Sequence, residues 1–339
     1  MGVVITGGGT GGHLKVADSL IEEYYKRGIK PIFIGSSNGQ DKDWFENDNR
    51  LYKAYFLETR GVVNKKGFGK LSSLFQILKG MYRCLKIFRK YGVKTVISVG
   101  GFSAASATFA SILSFGSKLY IHEQNSVMGK LNEITSRFAT EVFCSFDEKS
   151  PIKDYPVSEV FFDNARIRDE LNTIIFLGGS QGAKGINDFA LKVAPTLKQL
   201  GLNIIHQTGK NDYKRVKGEY KKLGIDVDLF PFSKDIAKKM SEADFAVSRA
   251  GASTLWELCA NSLPTLFIPY PYAAKDHQYT NAKFLKDKGL CYICREKDLS
   301  KDLLIEVLKK DNFSISKKLV GAIKFNGVKS IVDLISQGK

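Results

Sequence analysis

The sequence predicts an α/β protein made of two doubly wound, Rossmann-like halves. Three observations predict it. The chain has 339 residues, 43% of them hydrophobic, which is long for one compact domain and suits two, each with its own core. Strand-like apolar runs alternate with glycine turns and helical patterns, the grammar of a mostly parallel sheet. That grammar then starts afresh past the middle of the chain.

The elements follow in order. Residues 3–6 read as a strand and lead into Gly7-Gly8-Gly9-Thr10-Gly11-Gly12-His13. Val16, Leu20 and Tyr24 then repeat at helical spacing, and the helix ends near Gly28. Further strands are expected over 31–35, over 95–99 before Gly100-Gly101, and over 119–122. In the second half, residues 173–177 form a strand ahead of Gly178-Gly179-Ser180-Gln181-Gly182, and a helix runs over about 186–200. Strands over 203–206 and 245–248 follow. Gly251 precedes a helix over 252–261, and 265–268 is again a strand. The stretch 150–172 holds Pro151 and Pro156 and lacks periodicity, so the junction falls within it. We take the halves as 1–162 and 163–339, with the last helix able to pack back on the first. Ligands of open α/β sheets sit at the carboxyl ends of the strands; two such halves would present those ends to each other across a cleft.

Fifty-one Lys and Arg against 35 Asp and Glu give a formal charge of +16. Such a balance calls for anionic partners. No nucleic-acid module is recognisable, so phosphorylated ligands or an anionic membrane surface are the partners expected, and no nucleic acid. No apolar run is long enough for a transmembrane helix. The apolar residues 3–5 have no charged region before them, unlike a signal peptide, and the expected location is cytoplasmic. The cysteines Cys84, Cys144, Cys259, Cys291 and Cys294 are few and scattered, which argues against a disulfide framework. Cys291-x-x-Cys294 has no second ligand pair nearby for zinc and reads as part of a short buried strand.

Seven features carry the chemistry. The loop 7–13 brings backbone close to a ligand and opens a helix, an anion-attracting arrangement. It lacks the Lys-Ser/Thr of a P-loop. It matches a dinucleotide fingerprint formally, yet residues 32–37 offer no acid for a ribose. His13, at its mouth, is a candidate general base or phosphate ligand. His122-Glu123-Gln124-Asn125 closes a strand with four polar residues, which are costly to bury idle. Gly178–Gly182 is a second turn suited to a diphosphate. In 248–257, Gly251 and the amides after it suit a phosphate and Glu257 suits ribose hydroxyls, although Thr254-x-x-Glu257 also fits a capping box. Asp276-His277-Gln278 and Asn281 suit a sugar better than a metal, and no metal or cofactor is expected. Finally, residues 60–89 interleave Lys65, Lys66, Lys70, Lys79, Arg83, Lys86 and Arg89 with Leu71, Leu74, Phe75, Leu78, Met81, Tyr82 and Leu85. This is either a surface helix packed on its own domain or a contact with anionic lipid.

Taken together, Gly8–His13, His122–Asn125, Gly178–Ala183, Arg249–Thr254 and Asp276–Gln278 resemble glycosyltransferase family 28, in particular its bacterial members that make lipid II. The resemblance runs through nearly the whole chain in order. It implies the GT-B fold, a UDP-N-acetylglucosamine donor held by the C-terminal domain, and lipid I as acceptor on the N-terminal one. Lipid I is undecaprenyl-pyrophosphoryl-N-acetylmuramyl-pentapeptide, and its muramyl 4-hydroxyl receives the sugar with inversion. The resemblance implies donor contacts from Thr10, Gly11, Gly12, Asn125, Ser180, Gln181, Gly251, Ala252, Ser253, Thr254, Glu257 and Gln278. It also implies peripheral attachment to the cytoplasmic face of the inner membrane, with other cell-wall enzymes as further partners. This chain departs from the family at three places. Ile167 stands where an arginine is common, leaving Arg166 or Arg168 as substitutes. Phe102 replaces a tyrosine, and Lys15-Val16 replaces Phe-Pro.

The chemistry expected is in-line displacement at the anomeric carbon, with His13 as base and Glu123 as the second candidate. Prepositioned amides of the second-half turns would stabilise the departing diphosphate. The alternatives are a related transferase acting on diacylglycerol, a nicotinamide-dependent oxidoreductase, and a non-catalytic nucleotide-sugar binder.

Overall fold

The structure is a computed structural model that describes residues 2–9, 11–59, 61, 68–179 and 182–338. It divides into two compact units, Met1–Pro156 with Asn326–Lys339, and Val157–Phe325.

The first unit is built on a parallel sheet of six strands among the described residues, in the order β3-β2-β1-β4-β5-β6. They are β1 (Gly2–Thr6), β2 (Ile32–Ser36), β3 (Lys53–Leu57), β4 (Val93–Ser98), β5 (Lys118–Glu123) and β6 (Glu141–Cys144). Ile5 of β1 lies in register with Phe33 on one side and Ile97 on the other. All three are fully buried, as the near-continuous apolar runs of covered parallel strands require. The helices between them are α1 (Gly11–Lys26), α2 (Asp41–Phe45), α3 (Phe68–Tyr91), α4 (Ala105–Leu113) and α5 (Lys130–Thr135). Helix α1 buries Leu14, Ala17, Leu20, Ile21 and Tyr24, one stripe at three- and four-residue spacing. Helix α3 turns Ser73, Ile77, Gly80, Cys84, Ile87 and Phe88 inward. It approaches α4 closely: Ser106 Oγ donates to the Ile77 carbonyl at 3.2 Å, and a Cβ on Gly80 would overlap Ser106. Its other face leaves Leu71, Leu74, Phe75, Leu78 and Tyr82 exposed, Phe75 to 69%.

The second unit repeats the arrangement, with order β12-β11-β10-β7-β8-β9. Its strands are β7 (Thr173–Leu177), β8 (Asn203–Gln207), β9 (Asp228–Phe230), β10 (Phe245–Ser248), β11 (Thr265–Phe267) and β12 (Tyr292–Ile293). The helices are α6 (Glu159–Asp163), α7 (Lys184–Gln199), α8 (Tyr213–Leu223), α9 (Ile236–Ser241), α10 (Ala252–Ala260), α11 (His277–Asp287), α12 (Lys301–Leu308) and α13 (Asn312–Leu319). Ile174, Phe176, Ile186, Ala190, Val193, Ile204, Phe245 and Val247 form one buried cluster between sheet and helices. Cys291 and Cys294 flank β12 as buried free thiols. Helix α14 (Gly327–Gln337) belongs to the first unit. It packs on α1, where Arg27 pairs with Asp333 at 2.7 Å and with Glu23 on its own helix at 2.5 Å.

Two polar networks lie inside the second unit. His206 is fully buried, with Nδ1 3.0 Å from the Tyr220 hydroxyl and Nε2 3.0 Å from Asn187 Oδ1. The Asn187 amide donates to the Thr208 carbonyl and to Asp212, at 3.1 and 2.7 Å. This pattern leaves His206 one donor and one acceptor, the neutral ring. Burial drives its pKa down to about 3, against a small opposing pull from Asp212. The second network surrounds Arg168, a buried cation whose guanidinium donates to the carbonyls of Met240, Ala243, Arg166 and Asn261 and, at 2.6 Å, to Asn261 Oδ1. Burial and then Arg166 lower its pKa, while the carbonyls that end α9 and α10 favour the cation. Arg166 binds the Ser241 and Ala243 carbonyls and Asp244. Both arginines near Ile167 are therefore engaged in fastening the second unit.

Candidate functional site

In each sheet the strand order reverses beside its first strand, and ligands of such sheets bind at the carboxyl ends there. In the first unit this point lies between β1 and β4. Gly7, Gly8 and Gly9 follow β1 with φ of 128°, 155° and 81°. Side chains have no room in the loop: a Cβ on Gly7 would stand 2.6 Å from the Gly100 carbonyl, and one on Gly9 would enter the Phe102 ring. The Gly8 amide donates to the Gly100 carbonyl at 3.2 Å, so the two glycine turns lock together. Gly11, Gly12 and His13 open α1, and all three are half-buried. Thr10 lies outside the described residues.

The sequence reading missed Asp41, which holds this loop from behind. It is fully buried, and its carboxylate accepts from the Gly9 amide at 2.6 Å and the Ser36 amide at 2.8 Å. The acid that 32–37 lack thus comes from the first residue of α2, turned inward onto backbone. Gly35 and Gly39, both just ahead of this acid in the chain, were the available signal, because an inward carboxylate needs glycine-sized neighbours.

Strand β5 delivers His122, Glu123 and Gln124 buried, and Asn125 half-buried. His122 lies edge-on to Tyr155, with ring centroids 5.5 Å apart. Its pKa falls to about 3, chiefly through burial and further through the charge of His13. Gln124 donates to the carbonyls of Val99 and His122, at 2.5 and 3.3 Å. Glu123 accepts from the Asn125 amide at 3.0 Å, the Gly129 amide at 2.9 Å and Asn132 Nδ2 at 2.8 Å. These three donors make it the anchor of the 125–129 loop. His13 thus opens the helix after β1, and Glu123 ends β5 and shapes the loop that holds Asn125; β4 lies between the two strands.

In the second unit the reversal lies between β7 and β10. The Gly182 amide donates to the Gly179 carbonyl at 3.1 Å, closing the turn after β7; a Cβ on Gly182 would overlap the Thr208 carbonyl. Ser180 and Gln181 lie outside the described residues. Gly251 is the N-cap of α10, and the first helical bond runs from the Leu255 amide to its carbonyl at 2.9 Å. The amides of Ala252, Ser253 and Thr254 therefore face the helix start, an anion-binding end. This corrects the capping-box reading: Thr254 and Glu257 both lie inside the helix. Gln278 Oε1 accepts from the amides of Ala250 and Tyr270, at 3.3 and 2.9 Å, so it fixes the turns after β10 and β11. Arg249 joins the same ends, donating to the carbonyls of Ile268 and Pro269 and to Glu296 at 2.5 Å. Asp276 pairs with Arg295 at 2.6 Å, and His277 Nδ1 lies 2.8 Å from the Ala274 carbonyl. Among the described residues no group of three or more His, Cys, Asp or Glu stands ready to hold a metal ion.

Comparison with known proteins bears on both units. The glycosyltransferase family 28 N-terminal domain matches residues 3–144, and the family 28 C-terminal domain matches 173–335. A Campylobacter jejuni subsp. jejuni serotype O:6 protein is 51% identical over 333 residues, 98% of this chain and 96% of the relative. It is a UDP-N-acetylglucosamine--N-acetylmuramyl-(pentapeptide) pyrophosphoryl-undecaprenol N-acetylglucosamine transferase. A Sulfurovum protein of the same description is 49% identical over 335 residues, 99% of this chain and 98% of its own. The crystal structure of Acinetobacter baumannii MurG superposes with a TM-score of 0.81 at 29% identity, covering 99% of each chain. The two parallel sheets with flanking helices are the GT-B arrangement. The chain belongs to glycosyltransferase family 28.

Proposed function

We propose that this chain transfers N-acetylglucosamine from UDP-N-acetylglucosamine to the muramyl 4-hydroxyl of lipid I, making lipid II. The observation that carries this reading is the likeness, at about half identity over nearly the full length, to transferases of that description. In this reading the start of α10 and the turn after β7 hold the donor diphosphate, with Gly251, Ala252, Ser253 and Thr254 lending amides. Ser180 and Gln181 contribute from that turn, Glu257 takes the ribose, and Gln278 keeps the turns in shape. Thr10, Gly11, Gly12 and Asn125 meet the transferring sugar.

The acceptor oxygen bonds to the anomeric carbon as the bond from that carbon to the diphosphate oxygen breaks. The hydroxyl proton passes to His13, and the electron pair leaves with UDP. The added charge on the diphosphate is met by amides already oriented at a helix start, which need no rearrangement. His13 suits the base better than Glu123, whose carboxylate already accepts three hydrogen bonds.

The undecaprenyl chain of the acceptor stays in a bilayer, so the enzyme works at a membrane surface. No described helix is long and apolar enough to cross one. The exposed Leu71, Leu74, Phe75, Leu78 and Tyr82 of α3, with exposed Lys79, Arg83, Lys86 and Lys90 alongside, fit peripheral docking on anionic lipid. We further infer a place at the cytoplasmic face of the inner membrane, with other cell-wall enzymes as neighbours.

The test is transfer of radiolabelled sugar from UDP-N-acetylglucosamine to a lipid I analogue. Wild type should form lipid II, and His13→Ala should lose roughly 10²–10⁴-fold in turnover while remaining folded. Transfer to diacylglycerol in place of lipid I, or donor binding without transfer, would reject the reading. Near-normal turnover of His13→Ala would reject the base assignment.

A further inference from the structure

We propose that Asp41 is a positioning residue for the transfer reaction: its buried carboxylate sets the first glycine loop and, through it, the start of α1 that carries His13. This rests on the functional reading above and adds a residue to it. The carboxylate spans two strand ends. One oxygen takes the Gly9 amide at 2.6 Å, after β1, and the other takes the Ser36 amide at 2.8 Å, at the end of β2. Asp41 is fully buried, and among the described residues no cation pairs with it. An ionised acceptor in low dielectric makes stronger bonds to amides than a neutral one. Backbone N–H groups are thus the partners that offset the cost of burying this charge.

The surroundings are cut to the carboxylate. A Cβ added to Gly8 or to Gly35 would stand 2.7 Å from an Asp41 oxygen, and one added to Gly39 would stand 3.2 Å from the Gly9 Cα. Glycines from two separate segments therefore close around one side chain. Gly8 is also tied to Gly100, at 3.2 Å. The loop has its shape before any ligand arrives, and its amides at Gly8 and Gly9 are already committed. Helix α1 begins at Gly11, two residues beyond Gly9. A displacement of Gly9 is carried into the first helical turn, where His13 is the third residue. Asp41 itself, closed off behind the loop, acts through that backbone.

Asp41→Asn keeps the size but sets an NH₂ against one backbone amide, while Asp41→Glu keeps both oxygens on a longer stem. In Asp41→Asn, kcat should fall about 10- to 100-fold, the scale of a sub-ångström to ångström misplacement. KM for UDP-N-acetylglucosamine should rise by much less than kcat falls, since in the functional reading the uridine diphosphate is held by the second unit and only the sugar meets the first loop. Amide exchange at Gly9 and Ser36 should accelerate, with protection in the second unit unchanged. Asp41→Glu, whose extra methylene the glycine-lined space does not admit, should lose kcat at least as far and expose the Gly9 amide as well. Unchanged exchange at Gly9, wild-type kcat with an exposed Gly9 amide, or a donor KM rising in step with the loss of kcat would each overturn the proposal. If wild type transfers sugar to no lipid acceptor, the functional reading falls by itself. The Gly9 exchange then still decides whether Asp41 holds the loop.

Discussion

His206 and His122 are histidines that the fold keeps uncharged, one in each unit. Burial is the main cause for both, with His13 adding to it at His122, and both pKa values drop to about 3. The unfolded chain takes up these protons near pH 6.5. Their contribution is thus complete above about pH 6.5 and is lost as pH falls toward 3, with a limiting slope of ~1.4 kcal/mol per pH unit for each ring. His206→Gln should flatten the fall in urea midpoint between pH 6 and 4 for the second unit and leave the first unit's acid response intact. A wild-type slope in that variant would contradict the burial account. At this scale the sequence was a partial guide. The polar run 122–125 stood out, yet its first three residues are spent on internal partners, because which atoms a buried polar group finds is decided by other segments: Val99 for Gln124, Gly129 and Asn132 for Glu123. Asp41 escaped notice for the same reason, since its partner Gly9 is 32 residues away.

Among the elements, α3 was legible as an amphipathic basic helix, although Lys65 and Lys66 lie outside the described residues. Its period could not say which apolar residues face inward. The structure separates them: Ile77, Ile87 and Phe88 are buried, while Leu71, Leu74, Phe75, Leu78 and Tyr82 stay exposed. Replacing Phe75 and Leu78 together by Glu should lower binding to phosphatidylglycerol vesicles by about tenfold or more, by removing apolar contact and opposing the surface charge. Turnover on a short-chain, water-soluble acceptor should be spared. Equal vesicle binding by the variant and wild type would assign the exposed stripe another purpose. The strands show a similar division. The central ones, β1, β7 and β10 among them, announce themselves as apolar runs closed by glycine turns. The sequence did not single out β3, β6 and β9, and all three are sheet edges. An edge strand needs less apolar surface, and its mixed composition blurs the pattern.

For the whole molecule, the repeated strand–glycine–helix grammar was enough to see two sheets, and both have the same strand order. The return of the chain to its first unit depends on packing partners distant in sequence. Helix α14 buries Ile331, Val332 and Ile335, and Gly327 passes so close to the chain at 154–155 that a Cβ would lie 2.5 Å from the Asp154 carbonyl. Ile335→Ala should cost the first unit about 2–5 kcal/mol. Hydrogen exchange should register this as faster exchange in β1 and α1 and no change across β7–β12. An equal loss of protection in both units would argue against α14 as part of the first unit alone. The same helix sets an order of events during synthesis. The second unit is one continuous segment, complete once residue 325 has left the ribosome, whereas the first unit, begun earlier, still lacks a helix at that moment. The half that is translated first is therefore the half whose chain is completed last.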